Sequence, residues 1–60
     1  PHSYQLQARI RKAHTLVQKG EPLAYVAYAS GFADQAHMTR VYKSMMGGTP
    51  GQFRAAALAS

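Results

Sequence analysis

The fold of this chain is decided by residues 22–46, which read PLAYVAYASGFADQAHMTRVYKSMM. Pro22 suits the first position of a helix, and Gly31 ends that helix where a sharp turn penalises a Cβ atom. Asp34 predicts the start of a second helix, because its carboxylate can accept a hydrogen bond from a free amide of the first turn. Two short helices joined by about three residues that include glycine are typical of a helix-turn-helix. Spacing alone leaves an ordinary helical hairpin as the alternative.

Apolar residues recur in this stretch at helical spacing, so each helix has one apolar face. Phe32 follows the turn and is predicted to fill the space between the two helices. The predicted core of the helix-turn-helix consists of Leu23, Val26, Ala27, Gly31, Phe32, Met38 and Tyr42, with Phe53 added from the segment that follows.

The segment before this stretch predicts a longer helix over residues 3–19. Its apolar stripe is formed by Leu6, Ile10, Ala13 and Val17. Ser3 can cap the start of this helix, and Gly20 suits a left-handed residue at its end.

The segment after it predicts a short closing helix over residues 50–57. Thr49 and Gln52 have the spacing of a capping box, and Pro50 falls in the first turn. No alternating β-branched run indicates a strand. The sequence therefore predicts an all-α fold, a small orthogonal bundle of about four helices that is homeodomain-like.

Length and charge limit the function further. Sixty residues make one domain at most, and the absence of cysteine excludes disulfides. Seven Lys and Arg against two Asp and Glu give a net charge of +5, which favours nucleic acid first and an anionic membrane surface second. No apolar run reaches the ~20 residues of a membrane span, and the first helix lacks a Trp- and Phe-rich face, so no membrane partner is predicted.

Residues for metal binding or catalysis do not cluster in the sequence. His2, His14 and His37 lie on separate elements without an acidic partner at metal spacing, so no metal and no cofactor are predicted. Glu21 and Asp34 are better explained by helix starts than by acid–base chemistry. The chain is predicted not to be an enzyme.

The outward face of the third helix carries residue types that suit duplex DNA. Gln can pair with adenine, Arg with guanine, and the methyl groups of Ala or Thr can pack on thymine. Lys43 lies further along and better suits a phosphate, as do Thr49 and Arg54 at the closing turn. For Arg54 the alternative is packing on the core or capping the carboxyl end of a helix.

Residues at many positions of the chain match the sequence pattern of one protein family, in the same order. The matching positions are Arg9-Ile10, Ala13, Leu16-Val17, Gly20, Leu23, Val26-Ala27, Gly31-Phe32, Asp34-Gln35, His37 to Arg40, Tyr42-Lys43, Gly47, Thr49-Pro50 and Phe53-Arg54. On these residues the chain resembles the C-terminal stretch of the DNA-binding domain of AraC/XylS-type transcription regulators. The resemblance covers nearly the whole chain.

The resemblance implies a bacterial, cytoplasmic transcription factor that binds double-stranded DNA. Family domains hold two helix-turn-helix units joined by a long helix. Residues 3–19 resemble that linker, residues 22–46 the second unit, and the first unit is expected on the missing N-terminal side. The family's base-reading positions fall here on Gln35, Ala36, His37, Thr39 and Arg40.

The chain also departs from the family pattern at three positions. Met38 replaces a usual large aromatic residue, and Tyr42 replaces a usual Phe, so its hydroxyl needs a partner or solvent. Gly48 replaces a more usual apolar residue, from which we expect a less rigid closing turn.

The main alternative is a helical protein-interaction module that contacts RNA polymerase or a partner domain and makes only backbone contacts to DNA. Tyr25, Tyr28 and the surface around Arg9 and Lys12 would then matter most. Self-association is a further expectation, because loss of the first unit would expose the apolar surface near Leu6.

Overall fold

The computed structural model describes residues 4–59, which form four α-helices. In chain order these are α1 (Tyr4–Gln18), α2 (Leu23–Ala29), α3 (Gln35–Met46) and α4 (Pro50–Ala59). No strand occurs within these residues. The all-α fold with about four helices is confirmed.

Helix boundaries differ from the predicted ones by one or two residues. The first helix ends at Gln18, one residue early, and the cap predicted at Ser3 lies outside the described residues. The second begins after Pro22, whose backbone is extended. The last continues to Ala59, beyond the predicted end at residue 57, and its run of alanines favours this because alanine has the highest helix propensity.

Side-chain caps fix the starts of the last two helices, as the sequence predicts. The His37 amide donates to Oδ1 of Asp34 over 2.7 Å. At the closing helix the Thr49 amide donates to Oε1 of Gln52 over 2.8 Å, and the Gln52 amide donates to Oγ1 of Thr49 over 3.2 Å. Each cap satisfies amides that a helix start leaves free, so the register of α3 and α4 is set locally.

The turn between α2 and α3 depends on a left-handed residue at Gly31. Its φ is +86°, and the next amide, that of Phe32, donates back to the Ala27 carbonyl over 3.0 Å. This bond closes α2 and turns the Phe32 ring inward. The prediction of Gly31 as a core residue is wrong, because its surface is exposed. It belongs to the turn, where a Cβ would be strained.

The core lies where α1 crosses the other three helices and α3 packs between α2 and α4. Its buried apolar residues are Ile10, Ala13, Val17, Val26, Ala27, Phe32, Met38 and Tyr42. Leu23 and Phe53, which the sequence also assigns to the core, are partly buried against this cluster. One face of α3 is thereby fixed to the protein.

Gly48 allows Phe53 and Gln52 to approach the chain closely. A Cβ at Gly48 would lie 3.0 Å from Oε1 of Gln52 and 3.1 Å from Cε2 of Phe53. The amide oxygen is held by Thr49 and the ring is packed on the core, so neither can move freely. The departure from the family pattern at this position thus has a packing role.

We therefore expect Gly48→Ala to lower the free energy of unfolding by about 1 kcal/mol, because overpacking outweighs the loss of glycine flexibility. Gly51→Ala is the matched control. A Cβ there meets only Oγ1 of Thr49 at 4.0 Å, and alanine favours the helix. That change should stabilise the chain by about 0.5–1 kcal/mol in urea unfolding. Equal effects of both substitutions would contradict the close approach.

Candidate nucleic-acid interface

The third helix has one buried face and one exposed face. Met38 and Tyr42 are 0% exposed and attach α3 to the core. Ala36 and Arg40 are exposed on the opposite side, and Gln35 is exposed in the first turn. Lys43 is exposed one turn further along. The structure therefore separates the residues predicted to hold α3 from those predicted to contact a ligand.

Two of the predicted base-reading residues are less accessible than the others. The ring of His37 is half-buried and meets the ring of Phe32 edge-on, with centroids 5.5 Å apart and an interplanar angle of 83°. Thr39 is half-buried as well. Ala36 and Arg40 therefore form the open part of the face, with His37 and Thr39 at its edges, and Gln35 is accessible from the first turn.

A hydrogen bond between α1 and α3 lies behind the exposed face. Nδ1 of His14 and the hydroxyl oxygen of Tyr42 are 2.6 Å apart, and which of them donates depends on the imidazole tautomer. The Phe53 ring meets both rings, edge-on at 5.6 Å from His14 and tilted by 71° at 5.7 Å from Tyr42. His14 thus supplies the partner that the Tyr42 hydroxyl needs, which the sequence alone does not reveal.

Burial raises the pKa of Tyr42 above its ordinary value of 10.0. The unfolded chain then releases this proton at a lower pH than the folded chain. The stabilising contribution is complete below about pH 10 and is lost as pH rises through the folded pKa.

We expect the free energy of unfolding to fall above about pH 10, and to fall less steeply in the Tyr42→Phe variant. Urea unfolding at a series of pH values measures both slopes. Tyr28→Phe, which changes an exposed tyrosine, is the matched control. If Tyr42→Phe and the native chain lose stability in parallel, the buried hydroxyl is not the cause.

A family model described as a helix-turn-helix domain matches residues 1–56 of the 60-residue chain. The chain belongs to the AraC-type helix-turn-helix family. DNA binding is the function of this family of domains, which are not enzymes. No match was found among the curated proteins, and none among the solved structures.

In this AraC-type domain Arg54 makes a contact within the protein. Its Nη2 donates to the backbone carbonyl of Glu21, and its buried Nε has no hydrogen-bond partner in the described residues. The contact ties α4 to the connection between α1 and α2. The alternative interpretation, in which Arg54 packs inside the protein, is thus the one that the structure favours over a phosphate contact.

Thr49 is also engaged within the domain. Its amide and its hydroxyl oxygen both take part in the capping box with Gln52. Only the hydroxyl hydrogen remains to donate outward, because the Thr49 amide already donates to Gln52. Thr49 could therefore offer one hydrogen bond to a phosphate.

Positive charge surrounds the AraC-type domain on several sides. The exposed cations are Arg9, Arg11, Lys12, Lys19, Arg40 and Lys43. Within residues 4–59 none of them forms an ion pair. The same part of the chain contains no cluster of three His, Cys, Asp or Glu residues that could hold a metal ion, and no helix long and apolar enough to cross a bilayer.

Proposed function

We propose that this domain reads double-stranded DNA in sequence-specific fashion, with α3 in the major groove. The observation that carries the proposal is the division of α3 into two faces. Met38 and Tyr42 hold one face at 0% exposure, so the helix has a fixed orientation. The opposite face is open, polar and flanked by cations, and a single α-helix is the element that fits a major groove.

Base edges would be contacted by the first two turns of α3, as in other helix-turn-helix proteins. Gln35 can make two hydrogen bonds to adenine, and Arg40 two to guanine. The Ala36 methyl group can pack on a thymine methyl. His37 and Thr39 can contact bases only from the edges of the face, because each is half-buried.

Phosphate contacts would come from Lys43 and from the hydroxyl of Thr49. Lys43 is exposed in the last turn of α3, beyond the residues that face base edges. Contacts of this kind fix the register of a protein on the duplex but carry no sequence information. Arg54 has no place in this set, since its guanidinium is bound to the Glu21 carbonyl.

We further propose that residues 22–46 are the second of two reading units and that α1 links them. The whole protein would act as a transcription regulator in the bacterial cytoplasm. Two linked contacts gain affinity through effective concentration, so the two-unit protein should bind far more tightly than this unit alone.

Arg40→Ala and Lys43→Ala distinguish base reading from phosphate contact. In binding-site selection with the full-length protein, we expect Arg40→Ala to relax the preference at one base pair and to cost about 1–3 kcal/mol of affinity. Lys43→Ala should weaken binding to specific and scrambled duplexes alike and lower the salt dependence. If neither variant differs from the native protein, α3 does not enter the groove.

A second candidate function is supported by the two tyrosines on α2. Tyr28 is 81% exposed and Tyr25 is 48% exposed, away from the core. Such side chains suit contact with RNA polymerase or a partner domain, with backbone contacts alone to DNA. Weak binding that is indifferent to sequence would favour this candidate.

The structure gives little support to self-association through α1. Leu6 is half-buried against the core, and its exposed neighbours Gln5 and Gln7 are polar.

A further inference from the structure

Arg9, on α1, lies across the turn that leads into α3. Its Nε, Cδ and Cγ atoms are 3.4, 3.7 and 3.9 Å from the position that a Cβ on Gly31 would take. These are ordinary van der Waals distances, so the aliphatic stem of Arg9 lies directly beside the turn. Arg9 is far from α3 in sequence, but it lies next to the turn that precedes α3.

The guanidinium of Arg9 is exposed and uncompensated. Within residues 4–59 it makes no hydrogen bond and no ion pair. The chain has only two acidic residues, and the carboxylate of Asp34 already accepts from the His37 amide. A planar group with five donors and a fixed charge is therefore available to a ligand, and it matches phosphate oxygens in geometry.

Its position places this group beside the base-reading part of α3. Gly31 precedes Gln35 by four residues, so their Cα atoms are at most ~14 Å apart. A major groove is ~12 Å wide and is bordered by the two phosphate backbones. A cation on the turn, within this distance of residues that face base edges, can therefore reach a phosphate on the groove border.

We propose that Arg9 binds a backbone phosphate at the border of the groove that α3 enters. The inference rests on the proposed function. It gives α1 a direct part in the interface, because the stem of Arg9 lies beside the turn and its guanidinium is exposed there. The contact fixes how α3 enters the groove and selects no base. The competing interpretation is that Arg9 only stabilises the carboxyl end of α2, where a cation is also favoured.

The test is the salt dependence of binding by the full-length protein to a specific and to a scrambled duplex. Arg9→Gln removes the charge, and Arg9→Lys retains it. Arg11→Gln is the matched control, because Arg11 is equally exposed but lies about 200° around α1 from Arg9. The slope of log K against log salt should decrease in magnitude by about 0.9 in Arg9→Gln for both duplexes, and should be unchanged in the other two variants.

Two outcomes would overturn the proposal. One is a native slope in Arg9→Gln, with or without a lower melting temperature, which would leave Arg9 a stabilising role only. The other is an equal loss in Arg11→Gln, which would indicate general attraction by net charge. Failure of the proposed function is visible separately, as an intact base preference in Arg40→Ala, whatever the slope in Arg9→Gln.

Discussion

Replacing Phe32 by alanine is expected to unfold most of the chain at room temperature. The ring is 7% exposed and fills the space between α2 and α3 behind the turn. Removing a buried phenyl group costs about 3–5 kcal/mol in lost burial and a residual cavity. A domain of this size without disulfides or metal rarely has more than about 3–5 kcal/mol in total. The loss is therefore comparable with the entire stability.

Far-ultraviolet circular dichroism, which reports helix content, would follow this unfolding with temperature and urea. Tyr28→Ala is the matched control, because it removes a larger side chain that is 81% exposed, and it should leave the transition nearly unchanged. A Phe32→Ala chain that unfolds at the same urea concentration as the native one would show that the ring does not hold the two helices together.

Local features of the fold could be predicted because each depends on a few neighbouring residues. Asp34 and Thr49 cap helices that begin one residue later, and the amides they bind lie three residues away. Gly31 adopts the left-handed conformation that a sharp turn requires. Helical spacing likewise assigns Met38 and Tyr42 to the inner face of α3, where they are fully buried.

Contacts between distant segments could not be predicted in the same way. His14 and Tyr42 are 28 residues apart, and Arg54 reaches a carbonyl 33 residues away. Helical periodicity gives the direction of a side chain around its own helix, but not which helix it meets. The contact of Arg54 with the Glu21 carbonyl and the packing of the His37 ring on Phe32 are both contacts of that second kind.

Two of the three departures from the family pattern are explained by partners elsewhere in the chain. The extra hydroxyl of Tyr42 is satisfied by His14, and the missing side chain of Gly48 makes room for Phe53. Phe53 in turn packs on both His14 and Tyr42. Tyr42 and Gly48 therefore belong to one connected cluster, which fixes the buried face of α3. The exposed face of α3 does not take part in this packing and is available to a ligand.

Met38 offers the sharpest test that the two faces of α3 are separate. It is 0% exposed, and truncation in Met38→Ala should cost about 2–5 kcal/mol. Met38→Leu keeps nearly the same volume and should cost less than about 1.5 kcal/mol. Urea unfolding of the two variants measures the difference, and the leucine variant is the control for a change of chemistry without a cavity.

DNA binding by the same variants shows what the buried face contributes to function. Met38→Leu should bind a specific duplex with native affinity and base preference, because Gln35 and Arg40 are exposed whereas Met38 is fully buried. Met38→Ala should bind more weakly in proportion to its folded fraction, yet with the same base preference. Saturating duplex should also raise its melting temperature, since only the folded chain binds. A changed base preference in Met38→Leu would mean that the interior of α3 takes part in reading, and the separation of faces would be wrong.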